Sequence, residues 1–123
     1  WRRAVLRLDT SLKAWVQYCY GYNLNYQLQI IICEAVWNRF AAGKRLQRRV
    51  SRKIVPLVWL AVQEVAASNR NDIYQHVAGN ILANYLNVNR STWIRIYADY
   101  WSELKDLVVN LDLAALVSVV DYQ

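Results

Sequence analysis

Apolar positions recur at spacings of three and four along most of this chain, the period of a helix packed on one side. Trp1, Val5, Leu8, Leu12, Trp15 and Cys19 fall on one such line, with Arg2, Arg3, Arg7 and Lys13 off it. Asp9-Thr10-Ser11 predicts a bend or break in that helix, because short polar side chains compete for backbone hydrogen bonds. Gly21 predicts its C-terminal stop, and Asn23 or Asn25 the cap of a second helix. The second helix carries Tyr26, Ile30, Cys33, Trp37 and Phe40 on one face and Leu28, Ile31, Ile32 and Ala35 on others. A helix apolar nearly all round is expected at the centre of a core. Gly43 ends it.

A third helix is predicted over about 44–67, with Leu46, Val50, Ile54, Leu57, Ala61 and Val65 as its apolar line. Pro56 removes a hydrogen bond inside it and clashes with the carbonyl of Arg52, which predicts a kink or a break. Residues 68–72 read as a loop, with Asp72 positioned to cap the next helix. Trp93, Tyr97, Tyr100, Leu104, Val108 and Leu111 line a long helix starting near Arg90, and Asp112 is expected to open a final short helix through Leu116, Val117 and Val120. No repeat or low-complexity tract interrupts the pattern. The fold class is therefore all-α, a compact multi-helix domain expected to span 1–123. Composition agrees, since three Gly and one Pro in 123 residues supply too few turns for a β-sandwich. The longest uncharged run contains Gln17, Asn23, Asn25, Gln27 and Gln29, so no transmembrane helix and no membrane partner are expected. No signal peptide is visible. The chain lacks a starting Met, and flanking segments are expected beyond it.

Residues 80–97, Asn-Ile-Leu-Ala-Asn-Tyr-Leu-Asn-Val-Asn-Arg-Ser-Thr-Trp-Ile-Arg-Ile-Tyr, fit a helix-turn-helix. Two helices crossing steeply need a small residue at the contact, and Ala83 is placed for it. Leu82, Leu86, Val88, Trp93 and Ile96 have the spacing to fill the wedge. The sharp turn needs a left-handed residue, for which Asn87 is the best choice after Gly. The start of the second helix would present Asn89, Arg90, Ser91, Thr92 and Arg95 to the major groove for base readout. A plain helical hairpin, or a protein-binding version of the motif, has the same apolar spacing. Asn89, Arg90 or Ser91 is a candidate cap of the second helix, and the bland alternative for Ser91 and Thr92 is that they only cap it.

Charge sharpens this picture. The net charge of +6 divides unevenly, for residues 1–95 hold 14 basic and four acidic groups while 96–123 hold Lys105 against five acids. A basic helix is expected over about 44–55. Its Lys44, Arg45, Arg48, Arg49, Arg52 and Lys53 form a candidate nucleic-acid backbone set, for DNA phosphates or for RNA. A solvated helix face is the bland alternative. Asp99, Glu103 and Asp106 cannot face DNA. They are a candidate protein-partner surface, an internal partner for the basic stripe, or a solvated face.

Candidate reactive groups are few. Cys19 and Cys33 sit in apolar helical stretches, too few for a zinc site, and read as buried thiols in a reducing cytoplasm. His76 has no neighbouring carboxylate in sequence and reads as structural. Trp15, Trp37, Trp59, Trp93 and Trp101 lie on apolar lines and read as core rather than base-stacking platforms. No Ser-His-Asp set, Gly-rich phosphate loop, HExxH or paired-carboxylate motif is present. Neither an enzyme nor a metal or other cofactor is expected.

Trp1-Arg-Arg-Ala-Val-Leu-Arg-Leu-Asp9, Lys13-Ala-Trp-Val-Gln-Tyr-Cys-Tyr-Gly21, Leu57-Val-Trp-Leu-Ala-Val-Gln-Glu-Val65 and the segment at 80–97, with Trp93 and Trp101 around its second helix, resemble the late-gene antitermination proteins of lambdoid phages. These are the Q proteins, and the resemblance is to a branch distinct from that of phage lambda. It implies a transcription antitermination factor of the bacterial host cytoplasm. Such a factor binds a late-promoter DNA element and loads onto paused RNA polymerase holoenzyme with its sigma factor. It then travels with the enzyme past pauses and terminators, with nascent RNA a further candidate partner near the exit channel. The four-cysteine zinc insertion of the lambda protein has no counterpart in these residues, so its polymerase contacts do not carry over. A simple DNA-binding regulator, and a helical interaction module that binds no DNA, share most of the same residues.

Overall fold

The computed structural model describes residues 9–70 and 79–122, and all regular structure among them is helical. The elements are α1 (Thr10–Cys19), α2 (Tyr26–Ala41), α3 (Arg48–Asn69), α4 (Gly79–Tyr85) and α5 (Arg90–Thr92). α5 runs without a break through a π-helical turn (Trp93–Tyr97) into α6 (Ala98–Tyr122). The readings made for Trp1, Arg2, Arg3, Val5, Arg7, Leu8, Asp72 and His76 lie outside the described residues.

Asp9 starts a helix. Its backbone is extended and its Oδ1 accepts from the Leu12 amide at 3.0 Å and from the Ser11 hydroxyl at 2.9 Å. The Leu12 amide above all holds the Asp9 carboxyl below its ordinary value. α1 then buries Leu12, Trp15, Val16, Tyr18 and Cys19. It ends near Gly21, for a reason other than left-handed backbone. A Cβ at Gly21 would stand 2.7 Å from the Gln17 carbonyl oxygen, so the position needs the space. The left-handed residue is the next one, Tyr22, with φ of 53°. An aromatic side chain there is uncommon. The Tyr22 ring lies 5.3 Å from the Arg70 guanidinium, which also covers Tyr18.

Asn25 caps α2 by accepting from the Gln27 amide, while Asn23 braces Asn25. α2 is peripheral rather than central. Its buried line is Ile32, Val36 and Phe40, whereas Ile30, Cys33 and Trp37 are half-buried and Tyr26 is 65% exposed. Two apolar lines compete on such a helix, and periodicity alone cannot say which one meets neighbours. Gly43 closes it with a φ of 74°.

α3 begins at Arg48, later than expected, and continues through Pro56 without interruption. Pro56 lies on the exposed side with Arg52 and Val55, where a carbonyl deprived of its partner is hydrated. The opposite side buries Ile54, Leu57, Val58, Ala61, Val62, Val65 and Ala66. α3 packs on α6, and α6 also packs on α1 and α2, so these two long helices organise the core.

The buried line of α6 is Trp101, Leu104, Val108, Leu111, Ala115 and Val119. Tyr100, expected on that line, is half-buried and meets Phe40 edge-on at 5.6 Å. No new helix starts at Asp112, which is buried in mid-helix. One of its oxygens accepts from Trp15 Nε1 at 2.9 Å and from the Tyr20 hydroxyl at 2.6 Å, tying α6 to α1. A buried carboxylate keeps its place where donors satisfy it, which a linear pattern does not reveal. Burial and donation to Asp112 push the Tyr20 hydroxyl well above its ordinary value. No described helix is long and apolar enough to cross a membrane.

Candidate nucleic-acid interface

The segment from Gly79 to Tyr97 is built on a tight turn. Leu86, Asn87 and Val88 donate back to the carbonyls of Leu82, Asn84 and Ala83, each at 3.0 Å. These bonds satisfy the last carbonyls of α4. Asn87 is left-handed, with φ of 57°. Leu82, Ala83, Leu86, Trp93 and Tyr97 are buried inside the angle, with Val88 and Ile96 half-buried. The close approach involves two small residues, not one. Ala83 is 2% exposed, and a Cβ at Gly79 would come 3.0 Å from Trp93 Nε1.

Asn89 makes the entry into α5. Its backbone is extended and its side-chain oxygen accepts from the Thr92 amide at 2.7 Å. Capping therefore belongs to Asn89, neither Ser91 nor Thr92 supplying it, and the Asn89 amide group remains its outward donor. Asn89, Arg90, Ser91 and Arg95 are exposed, and Thr92 is half-buried. Past Thr92 the Ala98 amide reaches the Trp93 carbonyl, five residues back. This wide turn stacks the Trp93 and Tyr97 rings, with centroids 6.4 Å apart. Single π turns of this kind recur at functional sites in helices.

The basic set divides into two groups. Arg45, Arg48, Arg49 and Arg52 are exposed. Lys44 and Lys53 instead hold the fold together. Lys44 Nζ donates to Glu103 Oε1 at 2.6 Å and to the Phe40 carbonyl at 2.7 Å, and it covers the Phe40 ring. Lys53 Nζ donates to the Leu86 carbonyl at 2.5 Å. That bond moors α3 to the turn preceding α5, and the first turns of α3 carry the exposed Arg48, Arg49 and Arg52. Lys44 and Arg45 precede α3, so the basic stripe is not one continuous helix face.

The acidic set also divides. Glu103 is the internal partner of Lys44, while Asp99 and Asp106 are exposed. Lys105 lies 3.7 Å from the buried Glu64 carboxylate. Trp15, Trp93 and Trp101 are buried, whereas Trp37 and Trp59 are half-buried. Cys33 is half-buried rather than fully buried, and that burial pushes its thiol up to about 11. The described residues bring no three His, Cys, Asp or Glu side chains together as a metal site.

A family model described as phage antitermination protein Q matches residues 1–123. The chain belongs to that family. Within the Q family, it is similar to antitermination protein Q of Enterobacteria phage 82, at 30% identity over 128 residues. That alignment covers 95% of this chain and 52% of the relative, so the chain spans about half the length of the Q protein it matches. No solved structure matches.

Two residues at this Q-family surface escape a reading of the sequence. Ile94 is 59% exposed beside Arg95 although its neighbours are core aromatics. Its signal was its phase, one step off the Trp93–Tyr97 line. Lys53 looks like a surface charge, and nothing in the sequence marks its bond to a carbonyl 33 positions later.

Proposed function

We propose that this chain is the nucleic-acid-binding part of a phage antitermination factor. In this reading 1–123 acts as a single domain and 79–97 as a helix-turn-helix. The start of α5 enters the major groove of a late-promoter element, with Arg90, Ser91, Arg95 and the free amide of Asn89 toward base edges. Arg45, Arg48, Arg49 and Arg52 meet the phosphates alongside. Asp99 and Asp106, both exposed, dock on host RNA polymerase holoenzyme or its sigma factor. Glu103 serves the fold instead. The chain works in the host cytoplasm, without enzymatic chemistry of its own, and nascent RNA is a further polyanion for the arginines.

The observation that carries this reading is the mooring of α3 to the Leu86 carbonyl by Lys53. It ties the helix bearing the exposed Arg48, Arg49 and Arg52 to the turn before the capped, exposed start of α5, which supports reading the two as one nucleic-acid surface. Membership in the Q family supports the transcriptional role. The test has two arms. Arg90→Ala or Arg95→Ala should lower affinity for the cognate promoter duplex by about 1–3 kcal/mol at fixed salt. Transcription in vitro through a terminator should show more read-through with the protein than without it. Unchanged affinity in both variants removes the helix-turn-helix role, and unchanged read-through removes antitermination.

A further inference from the structure

The exposed side of the α5 segment is polar except at one place. Ile94, 59% exposed, stands four residues after Arg90 and three after Ser91, next to Arg95. Positions three and four apart on a helix share a face, so this branched aliphatic side chain lies among the groups assigned to base edges. The core does not require it there, because Trp93 and Tyr97 fill the wedge and Ile96 closes its edge. A single exposed Ile elsewhere on the surface would need no explanation. Here its neighbours point to a ligand surface that is mostly polar and carries one apolar spot. The floor of the major groove is such a surface, with donors, acceptors and the C5-methyl group of thymine.

We propose that Ile94 is a specificity-determining residue that reads a thymine by packing against its methyl group, while Arg90, Ser91 and Arg95 read polar edges. This rests on the proposed helix-turn-helix role and adds a base identity to it. Placed so, Ile94 loses its exposed apolar area when the chain binds, and only a duplex with thymine at that step gives it an apolar partner.

The probe is a duplex enriched from a randomised library by the wild-type chain. Each thymine of that duplex is replaced in turn by deoxyuridine, which removes the methyl group alone. Affinities are compared for wild type, Ile94→Ser and Ile94→Val, after thermal melts confirm that each variant is folded. For wild type, deoxyuridine at one step should weaken binding about fourfold, the factor for one buried methyl group. Ile94→Ser should bind the thymine and deoxyuridine duplexes equally, and Ile94→Val should keep most of the discrimination. If wild type tolerates deoxyuridine everywhere, or Ile94→Ser discriminates as wild type does, the assignment of Ile94 is overturned while the DNA-binding role stands. If the wild-type chain enriches no sequence, the helix-turn-helix role falls, and the assignment falls with it.

Discussion

Removing the carboxylate of Asp112 should be among the most damaging single changes in this protein. Asp112 accepts from Trp15 Nε1 at 2.9 Å and from the Tyr20 hydroxyl at 2.6 Å on the same oxygen. Hydrogen bonds to a charged group contribute about 1.5–3 kcal/mol each, so the pair has a gross value of about 3–6 kcal/mol. Asp112→Ala returns part of this, because the carboxylate no longer has to be desolvated and the half-buried Tyr20 regains water. Trp15 is 0% exposed and regains nothing. The net cost should be about 3 kcal/mol. With a urea slope near 1.5 kcal/mol/M, the unfolding midpoint should fall by about 2 M. Asp112→Asn keeps an acceptor oxygen without the charge and should cost about half as much. Urea titrations followed by circular dichroism at pH 7 measure both. A loss below 1 kcal/mol for Asp112→Ala, or equal losses for the two variants, would refute this account of the α1–α6 link.

Replacing Arg48, Arg49 and Arg52 together by Gln should lower the slope of log affinity against log salt for DNA by up to about 2.7, at 0.9 per phosphate contact. Lys44→Gln should leave that slope unchanged and lower stability instead, since Lys44 is held by Glu103. Asn87→Gly should be nearly neutral at a φ of 57°, whereas Asn87→Ala should cost about 1 kcal/mol in denaturant unfolding. Asp9→Ala should cost about 1 kcal/mol at pH 7 through loss of the cap. The folded carboxyl lies below its ordinary 3.8, so its contribution is present above that value and lost as pH falls through the folded value. The Asp9→Ala deficit should therefore shrink progressively in melts run at pH values falling below 3.8.

Much of the fold is legible because helix phase is a local property. The lines through Leu12, Trp15 and Cys19, and through Ile54, Leu57 and Ala61, are buried as their spacing predicts. The left-handed Asn87 was legible because few residues tolerate that backbone. The failures come from interactions that sequence distance hides. Apolar residues surround α2, so its buried line depended on where α1 and α6 lie. Asp112 looks like a helix start until Trp15 and Tyr20 are found donating to it. Charge counting ranks Lys44 with the arginines, although Glu103, 59 positions away, holds it. At the candidate interface, the apolar positions placed in the wedge left Ile94 unassigned. The π turn, which belongs to backbone register, has no side-chain signature.

The unbroken run from Arg90 to Tyr122 has a mechanical meaning. Its 33 residues make a strut of about 50 Å at the helical rise, longer than the roughly 30 Å width of a small domain. One end carries the residues proposed to face the groove, the middle is clamped in the core at Trp101, Leu104 and Val108, and the far stretch exposes Leu113, Val117 and Val120. Val120 lies about 45 Å along the axis from Arg90. Two large partners seated at opposite ends would not compete for space. Any rotation imposed at the first end would reach the second through a single stiff member, with the π turn as its one irregular joint.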